Sequence, residues 1–353
     1  MIEASGIGTY VRNLLPLLLD RCPEVPFRLL GDSRAISLRA LAHRSNVEVV
    51  DCRAPIYSLV EQFQLLPKIP KRGDLFWCPH YDVPLLHKGG LVVTVHDVFH
   101  LAMPEFVRGV HRRVYARTVF AAMVRKASRI LCVSQFTADE LVRLTGCDAM
   151  KMRVIHNGIA HEWFEPSGRF GAPDEPYLLF VGNVKPHKNL SALLDALQII
   201  KEAIPHRLII VGKKEGFLTG DTQVAGRAVS LGSRVEFTGQ VTDIQLKSYY
   251  EQADALVFPS LYEGFGLPPL EAMGSDCPCV VSDIPALREV CGNAALYCDP
   301  NNPADIADKI VEIIENKNLR EQLKGLGRAR ARLFTWERSA EATHAAIKEA
   351  LNE

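Results

Sequence analysis

Two carboxylates, Glu263 and Glu271, bracket a glycine loop and two prolines in Glu263-Gly264-Phe265-Gly266-Leu267-Pro268-Pro269-Leu270-Glu271. Proline is tolerated in the first turn of a helix, where no intrahelical N–H partner is needed, so the prolines mark a helix start. The run before them, Ala255-Leu256-Val257-Phe258-Pro259, reads as a buried parallel strand. An acidic residue and a Gly-Phe-Gly loop therefore stand between a strand's carboxyl end and a helix N-terminus. Unpaired backbone N–H groups and the helix dipole can hold an anion such as a diphosphate there. With Glu263 in the loop and Glu271 two turns into the helix, the carboxylates would touch different parts of one elongated ligand. An isolated pair at this spacing is only a glycine turn and a surface glutamate, so the flanks must decide.

A second strand, turn and helix carry cations. Gly182-Asn183-Val184-Lys185-Pro186-His187-Lys188-Asn189 closes a strand and precedes a helix from near Leu190, with Lys185 and Lys188 available to an anion. His96-Asp97 emerges after Leu91–Val95, where a histidine can hydrogen-bond a sugar hydroxyl or manage a proton; the plainer alternative is a strand cap. His80, after Phe76-Trp77-Cys78-Pro79, is a weaker candidate, for which a structural role is the favoured reading. Gly6-Ile7-Gly8 forms a glycine loop feeding the helical stretch Tyr10–Leu19. It departs from a dinucleotide fingerprint, because Val11 stands where the third glycine belongs. Ser134, before Gln135-Phe136-Thr137, reads as a helix N-cap.

Short apolar runs alternating with helical stretches must position these residues, which predicts an α/β protein with parallel sheets covered by helices. Strands are expected at Phe27–Gly31, Val47–Asp51, Asp74–Pro79, Leu91–Val95, Arg129–Val133 and Arg153–His156 in the first half. In the second half they are expected at Tyr177–Gly182, Arg207–Gly212, Arg234–Gly239, Ala255–Pro259, Cys279–Asp283 and Ala295–Asp299. Between the sets, the proline, glycine and charge content of Glu165–Pro176 marks a linker. The expected domains are residues 1–165, residues 166–335 and a terminal helix over 336–353. Two such halves predict a cleft between the carboxyl edges of two sheets.

A chain of 353 residues exceeds one ordinary core and fits two domains. Its net charge of zero leaves no electrostatic footprint for nucleic acid. No apolar stretch approaches the ~20 residues a spanning helix needs, and the opening Met1-Ile2-Glu3-Ala4-Ser5 lacks the features of a signal peptide. Nine cysteines without a C-x2-C pair fit reduced, buried thiols in a cytoplasmic protein. Arg108, Arg112, Arg113, Arg117, Arg125 and Lys126, spread among valines and aromatics in Phe106–Lys126, form a solvated face that could also meet anionic lipid at the inner side of the cytoplasmic membrane.

Taken together, Gly6-Ile7-Gly8-Thr9-Tyr10, His96-Asp97, the Gly182–Asn189 turn, the acidic pair and Phe334-Thr335-Trp336 span nearly the whole chain. This pattern resembles family 4 of the glycosyltransferases, retaining enzymes that use nucleotide sugars. The resemblance implies the GT-B fold, two Rossmann-like domains facing each other across a cleft, with the terminal helix packing back on the first domain. It implies that Lys188 contacts the donor diphosphate, that the loop of Gly8 closes over the phosphates facing the acceptor, and that His96 lies beside the transferred sugar. Glu263 would hold sugar hydroxyls and Glu271 the ribose. Gly182, Asn183, Gly264, Phe265, Gly266 and Leu267 would complete the donor site, with Tyr10 and His80 toward the acceptor. Asn183 stands where many relatives carry an arginine, which leaves one phosphate contact to another group. No cofactor or metal is implied, and no Asp-x-Asp follows a strand. The turn around Lys188 looks most like bacterial mannosyltransferases of polysaccharide assembly, so the expected reaction moves mannose from GDP-mannose to a glycan or lipid-linked glycan. A UDP-sugar donor, or a degenerate GT-B protein that only binds nucleotide or glycan, are the alternatives. In this family a strand precedes the glycine loop. With only five residues before Gly6, and Glu3 ill suited to a buried strand, the natural chain is expected to begin upstream.

Overall fold

The computed structural model describes residues 6–37, 41–53, 59–69, 74–107, 109–168, 170–212 and 222–352. Met1–Ser5, on which the expectation of a missing first strand rests, lies outside the described residues. The chain divides into two units, one of residues 1–158 with 335–353 and the other of residues 159–334.

In the first unit β1 (Phe27–Gly31) pairs in parallel with β2 (Val47–Asp51). A separate four-stranded parallel sheet runs β3 (Leu75–Cys78), β4 (Gly90–Val95), β5 (Arg129–Cys132), β6 (Met152–Val154). The strand β4 is apolar and buried from Leu91 onward, as befits a strand covered on both faces. The terminal helix Trp336–Leu351 belongs to this unit and packs against the helix Ile7–Arg21 and against β4 and β5. Ala346 and Ala350 bury against Val92, Leu131 and Ile155, and Glu349 accepts from Arg153 at 2.6 Å and Arg129 at 3.3 Å. Gly158 permits the close approach, since a Cβ there would lie 2.2 Å from the backbone nitrogen of Trp336.

The second unit holds a six-stranded parallel sheet of β7 (Tyr177–Val181), β8 (Arg207–Val211), β9 (Val235–Gly239), β10 (Ala255–Phe258), β11 (Cys279–Ser282) and β12 (Leu296–Cys298). Their order is β12-β11-β10-β7-β8-β9, so the chain winds outward from β7 to β9 and then crosses to the other side of β7. That reversal places the topological switch point between β7 and β10, where open parallel sheets bind ligands at their carboxyl ends. Strands β7, β10 and β11 are buried at every residue. Leu178, Phe180, Val257 and Val280 meet Leu193, Leu197, Ile306 and Ile310 from the helices Leu190–Ile200 and Pro303–Glu315 in one apolar core.

All twelve expected strands are present, each within a residue or two of its expected bounds. The expected linker behaves differently. The units divide at Gly158, and the stretch after Glu165 is tied to the second unit. The Ser167 and Phe170 amides donate to Glu251 and to Ser248 Oγ, each at 2.9 Å, and the Tyr249 hydroxyl donates to the Gly171 carbonyl at 3.0 Å. Polar anchors on the helix Asp243–Gln252 thus hold a segment whose composition reads as free chain. All nine cysteines are free thiols, and burial pushes Cys132, Cys277, Cys291 and Cys298 up to about 12, which keeps them protonated and unreactive.

Candidate active site

In the second unit the site grows from two strand ends side by side. Gly182 continues β7 by donating its amide to Val211 O at 2.9 Å. Gly212, at the end of β8, is required here: a Cβ would sit 2.1 Å from the Gly182 carbonyl oxygen. The turn then forms a short 3-10 helix, Pro186–Lys188, and Asn189 adopts a left-handed conformation with φ 58°. The buried Asn189 side chain donates to the carbonyls of Pro259 at 3.0 Å and Pro300 at 2.6 Å. The Leu261 amide donates to His187 O at 2.8 Å. These contacts join the turn after β7 to the loop after β10.

The consequence is an ion pair. Lys188 Nζ donates to Glu263 Oε1 at 2.5 Å, with the two side chains only 19% and 12% exposed, and the ammonium lies 5.4 Å from the Phe258 ring centre. A charge-assisted bond shielded from water in this way is stronger than a surface pair. The sequence assigns these two residues to different parts of a ligand; the structure joins them directly. The helix Leu267–Gly274 begins next to the pair, with Gly266 at its N-cap and no side chain capping it. Pro268 and Pro269 remove two of its first-turn donors, so an anion would depend on the amides of the loop up to Leu267 rather than on the helix alone. Gly266 has φ 116°, and a Cβ on it would lie 2.7 Å from Leu287 Cδ2. Phe265 is buried edge-on against Phe334 at 5.8 Å, which pins the loop through its ring. Glu271 is the fifth residue of the helix, just over one turn in rather than two. It accepts from the Tyr250 hydroxyl at 3.3 Å. Asn183 and Gly182 are half-buried at the mouth of the turn, and Lys185 is exposed.

In the first unit His96 follows β4, and its Nε2 lies 2.9 Å from the carbonyl oxygen of Pro79, at the end of β3. A carbonyl can only accept, so Nε2 carries the proton and Nδ1 of the neutral ring is a hydrogen-bond acceptor. Burial lowers the pKa of His96, against opposing contributions from the Pro79 carbonyl and Asp97. Neutral His96 can therefore accept from a hydroxyl but is a poor acid. Asp97 caps the following turn by accepting from the Phe99 amide at 2.9 Å.

The two residues expected toward the acceptor are both buried. Tyr10 is 2% exposed, its hydroxyl is 3.2 Å from Thr94 Oγ1, and its ring meets His96 edge-on at 4.8 Å. His80 is 5% exposed and stacked with His96 at 6.4 Å. Both pack around His96, and Trp336 meets the Tyr10 ring edge-on at 5.9 Å. Gly8 is buried in the first turn of the helix, which starts at Ile7, so the glycine loop is shorter than its sequence reads. Ser134 is an N-cap, its Oγ accepting from the Thr137 amide at 3.0 Å. Sequence reasoning missed Asn189, Gly212 and Tyr250 as site-building residues. An asparagine before a helix signals a cap, whereas this one bonds carbonyls of two distant loops.

Residues 164–330 match the family described as glycosyl transferases group 1, and residues 4–163 match glycosyltransferase family 4. The O-antigen chain mannosyltransferase B of Escherichia coli is 30% identical over 287 residues, covering 78% of this chain and 73% of the relative. The chain belongs to the family 4 glycosyltransferases. The O-antigen chain mannosyltransferase RfbU of Salmonella typhimurium is 32% identical over 248 residues, which cover 70% of this chain and 66% of that one. The solved structure of Anabaena HepE in complex with UDP and glucose matches with a TM-score of 0.76 at 16% identity, covering 98% of this chain and 96% of that chain. At that identity it supports the fold, GT-B. The family membership makes this glycosyltransferase a nucleotide-sugar-dependent enzyme.

Proposed function

We propose that this glycosyltransferase moves mannose from GDP-mannose to a glycan or lipid-linked glycan during assembly of a cell-surface polysaccharide, with retention of anomeric configuration. The observation that carries the reading is the Lys188–Glu263 pair at the switch point between β7 and β10, beside the start of the helix Leu267–Gly274. Breaking the sugar–phosphate bond builds negative charge on the diphosphate. Lys188 and the loop amides, with Gly182 and Asn183 as further donors, would stabilise that charge without a metal. Glu263, held by Lys188, would align sugar hydroxyls, Glu271 would bind the ribose, and His96 Nδ1 would accept from a hydroxyl of the transferred sugar. The departing phosphate would help to deprotonate the acceptor on the same face. Two mannosyltransferase relatives favour mannose. A UDP-sugar donor is the second reading, favoured by the UDP and glucose held by HepE.

The acceptor's lipid would bring the enzyme to the inner face of the cytoplasmic membrane. No described helix is long and apolar enough to cross a membrane. The helix Val110–Lys126 exposes Val110 and Val114, at 73% and 56%, among exposed Arg112, Arg113 and Arg117. This face suits peripheral contact with anionic lipid. Incubation with GDP-mannose labelled in the sugar, alongside the matching UDP-hexoses and a lipid-linked glycan fraction, tests the donor. Label should enter the acceptor from GDP-mannose as an α-linked residue; exclusive transfer from a UDP-sugar would replace the first reading by the second.

A further inference from the structure

Tyr250 lies at the centre of an arrangement that the reaction as proposed leaves unused. It sits in the helix Asp243–Gln252 with none of its surface exposed, and its hydroxyl donates to Glu271 Oε2 at 3.3 Å across to the helix Leu267–Gly274. Trp163, from the turn His161–Phe164, packs edge-on against the Tyr250 ring at 5.7 Å. Gly274 lets that turn approach, for a Cβ there would lie 2.9 Å from Ile159 Cδ1 and 3.2 Å from Trp163 Cβ. The ring is thereby fixed on two sides. A phenol in such surroundings stays protonated at all working pH: burial raises its pKa well above the ordinary value, and the Glu271 charge raises it further. Its hydroxyl is a permanent donor aimed at a carboxylate.

A glutamate side chain has three rotatable torsions, and holding one oxygen fixes the direction of the other. We propose that Tyr250 is a positioning residue that orients Glu271 for the ribose of the nucleotide, so that part of the enzyme's affinity for the nucleoside depends on a side chain behind the site. The proposal rests on Glu271 as the ribose contact. Its effect should be confined to the nucleoside end, because the diphosphate is assigned to Lys188 and the loop amides, whereas the Tyr250 hydroxyl donates to Glu271.

The test compares GDP, UDP and inorganic pyrophosphate by titration calorimetry on the unmodified chain, Tyr250→Phe, Glu271→Ala and the double variant. The expected result is that Tyr250→Phe weakens the nucleoside diphosphate by about three- to tenfold, leaves pyrophosphate unchanged, and adds nothing further in the Glu271→Ala background. In turnover it should raise KM for the donor more than it lowers kcat, a split that general loosening of the fold would not give. Full affinity in Tyr250→Phe beside a weakened Glu271→Ala overturns the positioning role and leaves the ribose assignment standing. Equal losses with or without Glu271 also overturn it, since Tyr250 would then act by another route. An unaffected Glu271→Ala removes the ribose assignment, and the proposal with it. Should Tyr250→Phe fail to fold, Tyr250→3-fluorotyrosine keeps the ring and strengthens the donor: tighter GDP or UDP supports the proposal, and unchanged affinity contradicts it.

Discussion

Lys188 and Glu263 neutralise one another at 2.5 Å in a half-enclosed setting. On the proposed assignment an incoming diphosphate would share the ammonium with the carboxylate, and two variants should then behave in opposite ways. Lys188→Ala removes a charge-assisted contact to the donor and also strands Glu263, so donor affinity and turnover should fall together, by about 1.5–3 kcal/mol in binding. Unchanged GDP affinity and turnover in a folded Lys188→Ala protein would contradict the assignment. Glu263→Ala releases the ammonium. Turnover should drop, because contacts near the reacting carbon matter most in the transition state, while free GDP binds as tightly as before or more tightly. Glu271→Ala should weaken free GDP instead. Calorimetry with GDP on both variants separates them, and the reverse pattern would exchange the two roles. The chemistry-bearing residues Lys188, Glu263, Glu271 and His96 are legible in the sequence because each follows a strand end or sits in a helix start. Their partners are not. The Lys188–Glu263 bond spans 75 positions, and Tyr10 looks exposed in a glycine-led helix yet is buried, because Trp77 and Trp336 close over it from distant segments.

Two loops become one site through small structural devices at the ends of elements. Gly266 starts the helix Leu267–Gly274 at φ 116°, with Leu287 placed where a side chain would go. Gly266→Ala should therefore displace the loop, costing about 1–3 kcal/mol of stability from backbone strain and reducing donor affinity as the amides of Gly264 to Leu267 shift. Thermal melts and GDP titrations check this; a variant with unchanged melting temperature and affinity would mean that the loop is not held in this conformation. Strands were readable to within a residue or two because β7, β8, β10 and β11 are continuous apolar runs that only a doubly covered parallel sheet explains. The segment after Glu165 was not, since its anchors Ser248, Tyr249 and Glu251 are polar residues on another element, and composition does not show which polar groups will find partners.

Within the molecule as a whole, the unit bearing β4 has a response to pH of its own. In the unit bearing β4, burial and the neighbouring His96 and His100 lower the pKa of His80 to about 3, and that of His96 is lowered as well. An unfolded histidine titrates near 6.5, at about the ordinary value. Between that pH and the folded values the unfolded state binds more protons, so this contribution to stability is complete above about pH 6.5 and is lost as pH falls. Urea unfolding of this unit should show a midpoint that declines from pH 7 toward pH 5. His80→Phe should reduce the slope by at most about 1.4 kcal/mol per pH unit. A slope unchanged by that substitution would contradict a neutral, buried His80. The proposed donor chemistry lies in the unit bearing β7 and β10. The most direct measurement is the shift in melting temperature of the unmodified chain and of Lys188→Ala with GDP-, UDP-, ADP- and dTDP-sugars, all in EDTA, since a ligand that binds the folded state stabilises it by mass action. The expected result is a saturable rise with GDP-mannose above the other donors, independent of metal and lost in Lys188→Ala. A chain that no nucleotide sugar stabilises until a divalent ion is restored, or one that Lys188→Ala leaves equally stabilised, would contradict it.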